Sequence, residues 1–172
     1  MKKLSILLIV ALLLCSFSSC GLRGDTGPVI LEPSAEEGTM GKTLWDSFQN
    51  TLSENPEIGM EELANTLATD PVLPFTGSAT TVAVDAEYFV GFDNYRITGF
   101  DSAAVYMPMM GSIAFVGYVF DLSEGTDASE FIQSLTDHCN PRWNICVEAE
   151  QTAAGAVGDK VFFVMCPADI EA

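Results

Sequence analysis

Hydrophobic residues in this chain fall into blocks of two periods, helical in the first half and mostly strand-like in the second. Leu44, Trp45, Phe48 and Leu52 recur at i, i+1, i+4 and i+8, which gathers them on one face of a helix. Thr43 is its expected N-cap. Asn55-Pro56 ends it, because proline disfavours helical geometry in the residue before it. A second helix is predicted from Ile58 to Ala68, with Met60, Leu63, Ala64 and Leu67 inward and Glu61 and Glu62 near its positive end. Asp70-Pro71 and Leu73-Pro74 break regular structure, and the β-branched content of Thr80–Val84 predicts a short strand.

From Ser102 the pattern becomes β. Ser102–Met107 reads as a strand and Pro108–Gly111 as the turn after it. Ile113–Leu122 is apolar on both alternating faces, with Ile113, Phe115 and Val119 on one and Ala114, Val116, Tyr118, Phe120 and Leu122 on the other. Such a strand belongs at the centre of a sheet covered on both sides. Gly117 interrupts one face and leaves room for a close approach. Ala128, Phe131, Ile132, Leu135 and Cys139 return to the helical period, with Asp127 and Glu130 spaced as a capping box and Asn140-Pro141 as the stop.

Asn144–Glu150 alternates apolar and polar, which predicts an edge strand with one wet face. Ala153–Val157 and Lys160–Cys166 flank Gly158-Asp159, a pair suited to a tight hairpin, and Val161–Met165 is a second expected central strand. The expected class is α+β. It combines a mainly antiparallel sheet, a ββαββ C-terminal half with one further hairpin strand, and two preceding helices. The pattern leaves the strand order open.

Asp85–Ile97 fits neither period. Tyr88, Phe89, Val90, Phe92 and Tyr95 are too apolar to be left in water. Core packing is the expected role. The alternative is a small-molecule pocket with Tyr88, Phe89, Phe92 and Tyr95 as its wall.

The first twenty residues obey a different logic. Lys2 and Lys3 precede an apolar run from Leu4 to Leu14, too short to span a hydrocarbon core of ~30 Å. Ser18 and Ser19 directly before Cys20 resemble the lipobox of bacterial lipoproteins, although Phe17 stands where that family favours leucine. Cys15, preceded by bulky Leu12, Leu13 and Leu14, fits less well. The resemblance implies that 1–19 is a signal peptide and that Cys20 takes a diacylglycerol, with palmitate-type chains. The protein is then exported and held on the outer face of the cytoplasmic membrane. Two or more acyl chains, at ~0.8 kcal/mol per buried CH₂, hold a protein there firmly.

Residues 20–40 read as the lipidated cysteine and a flexible tether, despite the short run Val29, Ile30 and Leu31, and 41–172 as one domain. Arg23-Gly24-Asp25 spells an integrin-type tripeptide, a match too short to carry weight.

Three further strings, PMMGSIAFVGYVF at Pro108–Phe120, RWNIC at Arg142–Cys146 and VGDKVFFVMCP at Val157–Pro167, are similar to a group of small bacterial lipoproteins carrying a domain of unknown function. They are core-type strings. The resemblance implies lipid anchoring and a compact domain, and it brings no activity, cofactor or ligand set.

Charge narrows the partners. The 172 residues include 24 acidic and 7 basic ones, a formal −17, which becomes −19 once Lys2 and Lys3 leave with the leader. Such a surface repels phosphates, so nucleic acid and anionic headgroups are excluded as ligands. A cationic partner or a divalent metal stays open beside the plainer role of keeping an exported protein soluble.

Little chemistry is legible. Cys139, Cys146 and Cys166 accompany Cys20; Cys146 and Cys166 are candidates for a disulfide, and the alternative is three buried thiols. His138 and Cys139 are adjacent on a helix, so their side chains diverge by ~100° and neither a zinc knuckle nor a thiol–imidazole pair is expected. Asp121, Glu124, Asp127 and Glu130 lack the alternation and the glycine position of an EF-hand calcium loop. There is no G-x-S-x-G, S-x-x-K or H-E-x-x-H. No catalytic, metal or cofactor site is expected. The leading expectation is a non-enzymatic domain that binds an envelope protein or peptide. The alternatives are the aromatic small-molecule pocket and an enzyme whose site the sequence does not reveal.

Overall fold

The two segments that are apolar on both faces lie side by side in the middle of an antiparallel sheet. The computed structural model describes residues 28–110 and 113–169, so Cys20, the leader and Arg23-Gly24-Asp25 lie outside the described residues. The strands are β1 (Ile30–Leu31), β2 (Gly77–Val82), β3 (Phe100–Pro108), β4 (Val116–Leu122), β5 (Gln151–Val157) and β6 (Lys160–Cys166). Their order is β1-β5-β6-β4-β3-β2, every neighbouring pair antiparallel. The helices are α1 (Met40–Glu54), α2 (Met60–Ala68) and α3 (Ala128–His138). The class is α+β, with the ββαββ half formed by β3, β4, α3, β5 and β6.

Alternation along the central strands divides the core in two. Val119, Phe162, Val164 and Cys166 point to the layer made by α1 and α2. Tyr118, Phe120, Val161, Phe163 and Met165 point to the layer made by α3 and the segment from Phe89 to Ile97. β4 and β5 both run antiparallel to β6, so they are parallel to each other with β6 inserted between them. The chain passes from one to the other through α3, a split β-α-β crossover.

α1 begins one turn earlier than its sequence pattern suggests. Thr39, not Thr43, is the N-cap, its side chain accepting from Lys42 N at 3.4 Å, while the Thr43 hydroxyl donates to the Thr39 carbonyl at 3.0 Å. The cause is tertiary. Met40 is fully buried, and Gly41 has no side chain, so the first turn settles onto β5, where Gly41 N donates to Gln151 Oε1 at 3.0 Å. Leu44, Trp45, Phe48 and Leu52 then cover the sheet, with Phe48 and Phe162 ring centroids 5.5 Å apart. Each such burial stabilises the fold by roughly 1.5–3 kcal/mol.

Three other expectations are corrected. Asn144–Glu150 is not a strand; Trp143 N bonds Asn140 O and Val147 N bonds Asn144 O, so turns use up the backbone groups a ladder would need, and Ile145 is left 99% exposed. The strand expected at Thr80–Val84 is β2, three residues earlier at its start, paired with β3 from Gly77↔Pro108 to Val82↔Ala103. The described part of the expected tether is not free of the domain. Ile30 and Leu31 pair with Val157 and Ala156, and the Trp45 indole donates to Glu32 Oε2 at 2.6 Å.

Candidate functional site

The four aromatic residues singled out as a pocket wall do not form one. Phe89 and Phe92 are buried among Phe100, Tyr118 and Phe163, with Phe92–Phe163 centroids 5.2 Å apart, while Tyr88 points out and is 67% exposed. The Tyr118 hydroxyl donates to the Val90 carbonyl at 3.0 Å, which pins this segment to the sheet. Burial, opposed in part by that bond, pushes the Tyr118 phenol far above its ordinary value. At Gly91 (φ +87°) any Cβ would overlap Met165 Cε, so the loop lies hard against β6. These contacts fill the space where a pocket was considered.

Tyr95 goes elsewhere. Its ring stacks on His138 with centroids 3.8 Å apart, and its hydroxyl is hydrogen-bonded to Ser134 Oγ. His138 Nδ1 lies 2.8 Å from the Ser134 carbonyl, which assigns the proton to Nδ1, and Asp137 Oδ1 accepts from Gln133 Nε2 at 2.7 Å. An open depression of about 430 Å³ follows this face of α3, lined by Ser129, Glu130, Gln133, Ser134, Asp137 and His138. Serine, histidine and aspartate are thus neighbours, but each is held by another partner, so no hydroxyl–imidazole–carboxylate relay is assembled. The sequence put His138 beside Cys139 on a helix and gave no sign of its stacking, because residues 95 and 138 meet only through the fold.

A larger cleft of about 620 Å³ lies between the C-terminal half of α1, β1 and the β5–β6 turn, lined in part by Ile30, Gln49, Leu52, Ser53, Pro56 and Lys160. Its volume lies in the range of small-molecule sites. Lys160 is already occupied: its ammonium bonds Asp121 at 2.8 Å and Asp159 at 3.0 Å. Burial lowers its pKa, but the two carboxylates outweigh that and raise it overall. This ion pair also absorbs Asp121, the first member of the acidic turn. Asp127 caps α3, accepting from Glu130 N at 2.9 Å. Among the described residues, no group of three or more histidine, cysteine, aspartate or glutamate side chains is placed to hold a metal ion.

Among the described residues the three cysteines, Cys139, Cys146 and Cys166, are free thiols. Cys166 is buried on the α1–α2 side of the sheet, Cys146 is exposed in the 140–150 turns and Cys139 is half-buried at the end of α3. The Cys146–Cys166 bridge is therefore not formed, because the segment carrying Cys146 is a surface turn and not a neighbouring strand. The reading of three buried thiols holds for Cys166 alone. Arg142 and Glu148 close those turns with a 2.6 Å ion pair, which raises the arginine and lowers the glutamate pKa, in each case through their shared hydrogen bond first.

Two features remain that point outward. The first is electrostatic. Between residues 43 and 95 there are nine acidic side chains and no lysine, arginine or histidine. Elsewhere Lys42, Arg142 and Lys160 are each spent on carboxylates. The second is β2, which among the described residues ends the sheet, with β3 on one side and no strand on the other. The charge distribution was present in the sequence as a gap in basic residues; the open edge required the strand order.

Compared with protein-family models, with curated proteins and with solved structures, the chain matches none.

Proposed function

We propose that this chain is a lipid-anchored, non-enzymatic domain on the outer face of the cytoplasmic membrane, and that it acts by binding a cationic protein or peptide of the cell envelope. The observation that carries the partner's charge is the stretch of nine carboxylates without one basic side chain between residues 43 and 95. A field of one sign speeds encounter with an oppositely charged partner and turns away like-charged ones. The anchor rests on the leader and on Ser18, Ser19 and Cys20. Ten residues of sequence separate Cys20 from Ile30 of β1, so such an anchor would lie within ~36 Å of extended chain from the sheet.

Expression with a clickable palmitate analogue tests the anchor: label is expected in the wild type and lost in Cys20→Ser, and label retained in that variant overturns it. Crosslinking on intact cells, followed by purification of the full chain, tests the binding role. Basic envelope proteins are expected, released as ionic strength rises. Recovery of no protein above a mock control removes the reading.

A second reading is favoured by one observation, the 620 Å³ cleft beside β1. It makes the chain a carrier of a small amphiphilic molecule. Native mass spectrometry of the protein purified from its membrane, showing an adduct lost in Leu52→Trp, would favour it.

A further inference from the structure

We propose that the outer edge of β2 is a docking strand, to which an extended cationic segment of the partner adds as a further strand of the sheet. This inference rests on the binding role proposed above and states where the partner sits and in what conformation.

The backbone supplies the first argument. Successive N–H and C=O groups of a strand point to opposite sides, so half of those in Gly77–Val82 serve β3 and the other half face away. Among the described residues, no hydrogen bond from any backbone or side-chain group reaches that outer side. Exposed edges are normally blunted by lysine, proline, a bulge or very short length. β2 carries none of these devices. It has six residues, no charge and no proline, and its register with β3 runs without a shift.

The opposite edge of the same sheet is guarded. β1 is only two residues long, Glu32 after it is tied to Trp45, and Pro33 next to that has no N–H to offer. The openness of β2 is therefore particular to this edge.

Charge decides the occupant. β2 itself is neutral, but Glu61 and Glu62 are exposed on α2, which packs on it, and Asp85 and Glu87 are exposed just past its end. A second copy of this chain would set those carboxylates against their own counterparts. A segment rich in lysine or arginine would meet them favourably, with main-chain hydrogen bonds giving affinity and the charges giving selectivity.

The test uses the full chain in detergent micelles and three synthetic peptides. One alternates threonine and valine with lysines at both ends, a second has glutamates at the ends, and a third has the lysine ends with a central proline. The lysine-ended peptide is expected to bind in a salt-sensitive way and to slow amide exchange at alternate residues of Gly77–Val82. The glutamate-ended peptide is expected to bind at least about tenfold more weakly, and the proline peptide not to slow exchange.

Proline is also placed in the protein, at Ala79 and separately at Thr80. One of two adjacent positions has its N–H outward, so one variant keeps the β3 ladder and a native melting temperature. That variant is expected to lose the peptide. Equal binding of the first two peptides, protection confined to another element, or no binding at all overturns the proposal. So does a dimer in sedimentation that the outward proline abolishes, since the occupant is then a second copy. If crosslinking on cells recovers the same basic proteins with wild type and outward-proline variant, the edge is wrong and the binding role stands. If it recovers none with either, both fall.

Discussion

Tyr106 carries the one buried side-chain polar atom among the described residues that has no hydrogen-bond partner. Its ring lies over Gly117 of β4, where any Cβ would overlap it, so the bare position in one strand is filled by the aromatic ring of the next. An unpaired buried hydroxyl costs more than its absence. Tyr106→Phe is therefore expected to be stabilising by about 1 kcal/mol in urea unfolding. A loss of similar size would contradict this account of the site. Cys166 is the second telling residue. Burial first, and then the Glu150 carboxylate, push its thiol from 9.0 up to about 12. The unfolded chain then releases this proton before the folded one. The contribution of Cys166 is complete below pH 9.0 and is lost as pH rises toward about 12. Cys166→Ala is expected to flatten stability against pH in that window. Maleimide at neutral pH is expected to modify the exposed Cys146 and to reach Cys166 only in denaturant.

Helices in this molecule are set by both local and distant causes, and α3 is the more local. Asp127 was legible as its cap because the cap, the turn and the periodic apolar residues are contiguous, and the structure shows that bond. Asp127→Ala is expected to cost about 1 kcal/mol by urea denaturation, with no change in the sheet. α1 was misread at its start because Thr39 and Thr43 are equally good caps in isolation, and only the contact of Met40 and Gly41 with the sheet chooses between them. The turns at 140–150 were misread for a related reason. Alternation at Ile145, Val147 and Ala149 looks like a strand, but an edge strand needs a neighbour, and Asn140 and Arg142 hold this segment in turns instead. The aromatic segment was legible as buried and illegible as to its partners, since Phe92 finds Phe163 and Tyr95 finds His138 across long sequence distances.

At the scale of the whole molecule, charge and layering act together. A formal −17 over the chain makes the folded state repel itself, and compaction brings carboxylates such as Glu61 and Glu62 nearer to their neighbours. Adding sodium chloride is expected to raise the melting temperature by screening that repulsion, while it weakens any complex with a basic partner; a melting temperature that falls with salt would show that local ion pairs such as Lys160–Asp121 dominate instead. The sequence by itself determined the class, the two central strands, the existence of the three helices among the described residues and the sign of the charge. Those properties depend on period and composition, which are local. Only the tertiary structure decided that β6 lies between β4 and β5, that Ile30 and Leu31 belong to the sheet, and that β2 is left at an open edge. Strand order is settled by which faces can be covered at once, and no short window of sequence contains that information.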